Sequence, residues 1–254
     1  MKFAPVLSQK YDPGSLSNYH LILAHEVIND LPYAEYYSRL DKEHTIILDS
    51  GTVEIGYADS EIILGALKLL DREVIVVAPD FLGDSIKTLE ASSDFLKNCN
   101  LPPTQLMVVP QGEPWQEWIE CFEMFEEIGG YKYVGLPRLA EDFHGGRSWI
   151  HQRARQIRHN SHGISDRLTF HLLGIQHTID EIEWARHFPK GIMGVDSSAP
   201  LKAASSSIEC KEVKDFRGIK DEVGFKEELM VEVRYRIEEL VDYFSFKGVP
   251  EHAA

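Results

Sequence analysis

The sequence predicts an α/β fold, a single (β/α)8 TIM barrel, on three observations. Eight short apolar runs alternate with amphipathic segments along 254 residues, the pattern of parallel strands joined by crossover helices. Several of these runs stop at a polar or glycine-containing signature, as in Asp49-Ser50-Gly51, and barrel enzymes build their sites at the carboxyl ends of strands. No Gly-x-Gly-x-x-Gly follows the first strands, which weighs against an open dinucleotide-binding sheet. One domain over 1–254 is therefore expected, with barrel strands within about 2–200 and a connector and amphipathic helix in about 201–254.

Taken in order, Lys2–Ser8 and Tyr19–His25 read as the first two strands, separated by the turn-rich Asp12-Pro13-Gly14-Ser15. Leu31–Leu40 reads as a short helix or turn with Pro32 near its start. Thr45–Leu48 is the third strand and delivers Asp49. In the helix expected over 60–70, Ile62, Ile63, Ala66, Leu67 and Leu70 share one face. Glu73–Ala78 is almost wholly apolar, as a strand covered on both sides must be, and it ends at Pro79-Asp80. After a helix at about 84–96, Gln105–Val109 ends in Pro110-Gln111-Gly112. The next helix carries Trp115, Trp118, Ile119, Phe122 and Phe125 on one stripe, which reads as packing against the sheet. Tyr131–Val134 ends in Gly135-Leu136-Pro137-Arg138, Leu168–Leu173 in Gly174-Ile175, and Gly191–Val195 in Asp196-Ser197-Ser198. Helices are expected at 147–158, around Ile179, Ile182 and Trp184, and over 221–244, the last after a Ser/Ala-rich connector at 203–207.

A hydrophobic content of 43% is ample for a core. No run of eighteen apolar residues and no basic-then-apolar leader is readable, so a cytoplasmic protein without a membrane partner is expected. Cys99, Cys121 and Cys210 lie far apart without a Cys-x-x-Cys pair, which argues against a disulfide framework or a sequence-local metal site. No cofactor is expected. The formal net charge of -15 repels polyanions at long range. Against that background, Arg147, Arg153, Arg155, Arg158 and Arg167 accumulate with four histidines and a single acid, Asp166, between His144 and Arg167. That segment is either a phosphate-contacting surface, with Arg138 just before it, or a solvated helix face.

In their order along the chain, the strand-end signatures resemble those of the tRNA-guanine transglycosylases and of their phage relatives that insert 7-deazaguanines into DNA. Asp49-Ser50-Gly51 is similar to the family's Asp-Ser-Gly-Gly/Ala-Phe-Gln, and Asp80 to its base-recognising aspartate. Val109-Pro110-Gln111-Gly112 is similar to Val-Gln-Gly-Gly, Gly135-Leu136 to Gly-Leu, and His171-Leu172-Leu173-Gly174-Ile175 to Tyr-Leu-Met-Gly-Val. Val195-Asp196-Ser197-Ser198 resembles the nucleophile strand. The match spans about 2–200. Thr52-Val53-Glu54 departs from Gly/Ala-Phe-Gln, Glu113 replaces a second glycine, and the Cys-x-Cys-x-x-Cys zinc knuckle is missing. The resemblance thus implies a reduced, metal-free relative acting on DNA more than on tRNA.

By this resemblance Asp196 is the nucleophile that attacks the glycosidic carbon and later leaves, a route that gives retention. Asp49 would manage the proton of the departing and incoming base, a role that calls for a raised pKa. Asp80 would accept hydrogen bonds from a guanine or 7-deazaguanine edge, Gln111 with its Gly112 and the Gly135 amide would donate to the carbonyl, and Leu136 and Leu173 would form apolar walls. Taken singly, Asp80 also reads as a helix cap, Gln111-Gly112 as a turn, and Asp196-Ser197-Ser198 as a cap. A glycosidase or transferase acting on free nucleosides, and a catalytically silent purine- or partner-binding barrel, remain alternatives.

Overall fold

In a computed structural model the chain forms the expected (β/α)8 TIM barrel, described for residues 2–56, 59–113, 115–137, 167–174, 192–198 and 230–245. The strands are β1 (Lys2–Pro5), β2 (Tyr19–Leu23), β3 (Thr45–Asp49), β4 (Ile75–Val77), β5 (Leu106–Val108), β6 (Tyr133–Leu136), β7 (Thr169–Leu172) and β8 (Ile192–Ser197). All pair in parallel in the order β1-β8-β7-β6-β5-β4-β3-β2. The ladder is open only between β1 and β2, where Ser17 bridges the seam. Its Oγ accepts from the Tyr19 amide at 3.1 Å and donates to the Phe3 carbonyl at 2.8 Å.

The connections carry α1 (Ala24–Asn29), α2 (Leu31–Arg39), α3 (Thr52–Ile55), α4 (Ser60–Leu70), α5 (Ser85–Asn98) and α6 (Trp115–Ile128). Aspartates cap three of them: Asp30 accepts from Tyr33 N, Asp59 from Glu61 N and Asp84 from Lys87 N. The segment expected to close the second strand, Ala24-His25, instead opens α1. Likewise Ser8 caps a 3-10 turn at 9–11, so β1 stops at Pro5. The helices expected at 147–158 and around Ile179, Ile182 and Trp184, the connector at 203–207, and Arg138, Arg147, Arg153, Arg155 and Arg158 lie outside the described residues. Of the last expected helix the structure describes α7, Met230–Ser245.

Because side chains alternate along a strand, the barrel wall sorts its residues into two cores. Ala4, Tyr19, Leu21, Ile47, Ile75, Val77, Met107 and Val109 fill the interior. Ile22, Ile46, Leu48, Val76, Val108, Val134, Leu136, Phe170, Leu172 and Val195 face outward to the helices, where Trp118, Phe122 and Phe125 of the predicted α6 stripe are buried and Ile119 packs beside them. A third patch joins Leu7 and Tyr11, in the loop after β1, to Val233 and Ile237 of α7. The β1–β2 connection contains only 3-10 turns, so α7 provides helical cover beside β1.

One irregularity positions the site. Phe170 pairs with Ile192, but the next residue, His171, pairs with Gly194, so Met193 is an extra residue bulged out of β8. Ile192 faces the helices, Met193 packs into the barrel, and after the bulge Gly194 also faces inward.

Candidate functional site

Two groups of polar side chains occupy the carboxyl ends of the strands. The first joins the ends of β3, β4 and β5 around Asp80, a carboxylate only 5% exposed. Its Oδ1 receives Ser50 Oγ at 3.2 Å and Thr52 Oγ1 at 3.1 Å, and its Oδ2 receives Gln111 Nε2 at 2.6 Å. Gln111 is oriented in turn by the Gly83 amide, which donates to its Oε1 at 3.3 Å. These partners are neutral. Burial pushes the Asp80 carboxyl above the usual carboxylate range, and the hydrogen bonds from Gln111, Thr52 and Ser50 oppose that shift.

Asp49 ends β3 beside this group, and its Oδ1 accepts from the Gly51 amide at 2.7 Å. Gly51 has φ 77°, and a Cβ there would come within 2.5 Å of His25 Nδ1, so both conformation and space demand glycine. The Asp-Ser-Gly turn therefore does two jobs: Asp49 holds the turn while Ser50 reaches back to Asp80. Gly112 is required by space as well, since a Cβ would lie 2.5 Å from the Trp118 amide nitrogen in the first turn of α6.

The second group spans the barrel interior from β2 to β8. Asp196 Oδ1 accepts from His171 Nε2 at 2.9 Å and from the Gly174 amide at 3.0 Å. The other imidazole nitrogen, Nδ1, meets the Tyr19 hydroxyl at 2.7 Å. Tyr19, His171 and Asp196 are at most 6% exposed. Burial, followed by the charges of Asp196 and Tyr133, holds the Tyr19 hydroxyl well above its usual pKa, so it stays protonated. The ring fits because residue 194 is glycine: a Cβ there would overlap it.

Of the residues expected from sequence, Asp49, Asp80, Gln111 and Asp196 all stand at this end of the barrel. Leu173 packs into the interior cluster, where with Val109 it closes over Gly135. Two placements correct the sequence reading. Leu136 belongs to the outward-facing core, because the pleat that turns Gly135 inward turns its neighbour toward the helices. Gly135 lies within β6, paired with His171, and not beyond the strand end. Tyr19, His171, Ser50 and Thr52 join the site without being among the residues expected from sequence. The signal was present for the first two, each a polar group at an inward position of an otherwise apolar strand. The described strand ends offer carboxylates and neutral hydrogen-bonding groups, and no lysine.

A separate cavity of about 690 Å³ lies at the opposite end of the barrel, between Leu40, Lys42, His44, Arg72, Glu73 and Gln105. It contains none of these site residues. Among the described residues no helix is long and apolar enough to cross a membrane.

No protein-family model matches the sequence, and comparison with curated proteins returned no match. Among solved structures the chain is similar to QR15, an aldolase, with a TM-score of 0.50 at 13% identity, over 78% of this chain and 88% of that one. An arginine-to-lysine mutant of flavocytochrome b2 gives a TM-score of 0.45 at 13% identity, over 99% and 71% of the two chains. CdNal from Clostridium difficile, in complex with mannosamine, gives 0.45 at 9% identity, over 95% and 99%. At such identities the likeness to QR15 extends to the barrel fold and no further.

Proposed function

We propose that this chain is an enzyme, a base-exchanging glycosyltransferase that replaces guanine in nucleic acid, DNA in preference to tRNA, by a 7-deazaguanine through a covalent aspartyl intermediate. The observation that carries this reading is the division of labour among the carboxylates at one barrel mouth. Asp80 is buried among neutral donors, as suits a group that recognises an uncharged heterocycle through hydrogen bonds. Asp196 is held through one oxygen by His171 and Gly174, as suits a nucleophile that must keep its aim.

In the first half-reaction an Asp196 oxygen bonds to the anomeric carbon. The carbon–nitrogen bond breaks, and its electron pair leaves with the base, which takes a proton from the carboxylic acid of Asp49. In the second half, the Asp49 carboxylate removes the ring N–H proton of the incoming base. That nitrogen attacks the same carbon, and Asp196 departs as a carboxylate. Two displacements at one centre give retention. The basic residues Arg138, Arg147, Arg153, Arg155 and Arg158 supply the positive charge that a polyanion needs on a protein of net charge -15.

The test is incubation of the folded protein with duplex DNA or tRNA and labelled guanine or 7-cyano-7-deazaguanine. Label entering DNA is the expected result. Its absence from both polymers overturns the proposal, and release of free base from nucleosides would assign the site to small-molecule glycosidase chemistry.

A further inference from the structure

We propose that Tyr19 and His171 are positioning residues that decide which oxygen of Asp196 attacks. With Asp196 ionised and the imidazole neutral, the hydrogen-bond chain has only one proton order that satisfies each member. A carboxylate only accepts, so the 2.9 Å contact to Asp196 Oδ1 requires the proton of His171 to sit on Nε2. In a neutral imidazole Nδ1 is then bare, and the contact at 2.7 Å is a donation from the Tyr19 hydroxyl. Protons therefore point from β2 through β7 to β8, toward Asp196.

The Gly174 amide adds a second donor to the same oxygen, its backbone turned to that position by a φ of 62°. With both lone-pair directions of Oδ1 engaged, Oδ2 is left as the oxygen with an uncommitted lone pair, since no described residue donates to it. The carboxylate plane is fixed at the same time, because the His171 side chain within β7 and the Gly174 amide just beyond it bind Oδ1 from two directions. A fixed plane and a single free oxygen hold a reacting atom in a near-attack geometry, where small misplacements cost large factors in rate. Tyr19 packs in the interior cluster against the space left by Gly194, and Lys2 places its ammonium 5.8 Å from the centre of the ring.

The catalytic consequence rests on the base-exchange reading, but the proton order does not, and the experiment separates the two. Imidazole 15N NMR of the whole chain, with His171 assigned by comparison with His171→Gln, is expected to report the Nε2–H tautomer. It should also report a change at Nδ1 in Tyr19→Phe, where the ring keeps its packing and only the hydroxyl is lost. An Nδ1–H tautomer overturns the proposal. Single-turnover formation of the protein–DNA adduct is expected to slow about three- to tenfold in Tyr19→Phe, the range for losing one neutral hydrogen bond. In His171→Leu it should slow about ten- to a hundredfold, with KM for DNA unchanged. His171→Gln, whose amide can donate to the same oxygen, should recover most of that loss. Adduct formation at the wild-type rate in both Tyr19→Phe and His171→Leu, or an effect confined to KM, overturns the positioning role. No adduct from the wild type itself would instead sink the base-exchange reading, leaving the NMR result to decide the proton order.

Discussion

Mild acid is expected to destabilise this barrel through one buried imidazole. His20 lies on the outward face of β2, fully buried under α2, stacked on His44 at 5.2 Å and set edge-on to Tyr37 at 5.6 Å. Its Nε2 contacts His44 Nδ1 at 2.9 Å. Close by, the Arg72 guanidinium donates to the carbonyls of Tyr37, Leu40, Asp41 and His44. Burial first, then His44 and Arg72, push His20 down from 6.5 to about 3. The unfolded chain therefore takes up a proton near the ordinary value, and the folded chain only near the depressed one. The contribution of His20 is fully present above the unfolded pKa and is lost as pH falls toward the folded one. From the unfolded value down to about pH 4.5 the loss is about 2 to 3 kcal/mol, at about 1.4 kcal/mol per pH unit. Urea midpoints measured at about pH 7 and about pH 4.5 on the wild type and on His20→Gln isolate this group, because carboxylates titrate alike in both. The wild type should lose more stability than the variant by that amount. Equal losses would refute the burial argument for His20.

Asp196→Asn keeps an oxygen to accept from His171 and Gly174, so circular dichroism and base binding should stay near wild type while the covalent adduct disappears. An active variant, checked for deamidation, would transfer the nucleophile's role to Asp49. Gly194→Ala forces a methyl into the Tyr19 ring and to 2.7 Å from the Lys2 carbonyl. Overpacking of this kind costs about 1–3 kcal/mol, and a thermal melt unchanged from wild type would show that β1 and β8 can separate to admit it. Neutralising Arg155 and Arg158 together should flatten the dependence of DNA affinity on salt, each lost phosphate contact removing roughly 0.7 to 0.9 from the log–log slope. An unchanged slope would make the basic segment a solvated face.

The barrel was legible because parallel strands covered on both faces read as apolar runs, and all eight appeared near their observed places. The candidate carboxylates were legible because they punctuate those runs. Other parts of the site depend on which way a side chain faces. Thr52 looked like a departure from a family pattern, yet its hydroxyl lies 3.1 Å from both the carboxylate and the main-chain oxygen of Asp80. The resemblance implies a pocket-wall role for Leu136, but adjacent strand residues face opposite sides, and Leu136 faces the helices. Tyr19 begins its strand, far in sequence from any strand-end signature, and joins the site only because its long side chain crosses the barrel interior to His171.

The direction of Asp196 could not be read from alternation at all. In an unbroken strand Ile192, Gly194 and Asp196 share a face, and Ile192 is packed against the helices. A regular β8 would therefore turn the carboxylate into the apolar layer outside the barrel, away from His171, where an unpaired charge is costly. Met193 prevents this by adding one residue opposite the step from Phe170 to His171, so that every residue after it changes face. The same shift turns Gly194 inward against the Tyr19 ring, which explains why that position has no room for a side chain. One inserted residue thus accounts for the aim of Asp196, for the glycine two positions before it and for the space that Tyr19 occupies. These features depend on one another, so a change at any of them should be felt first at the Asp196 carboxylate.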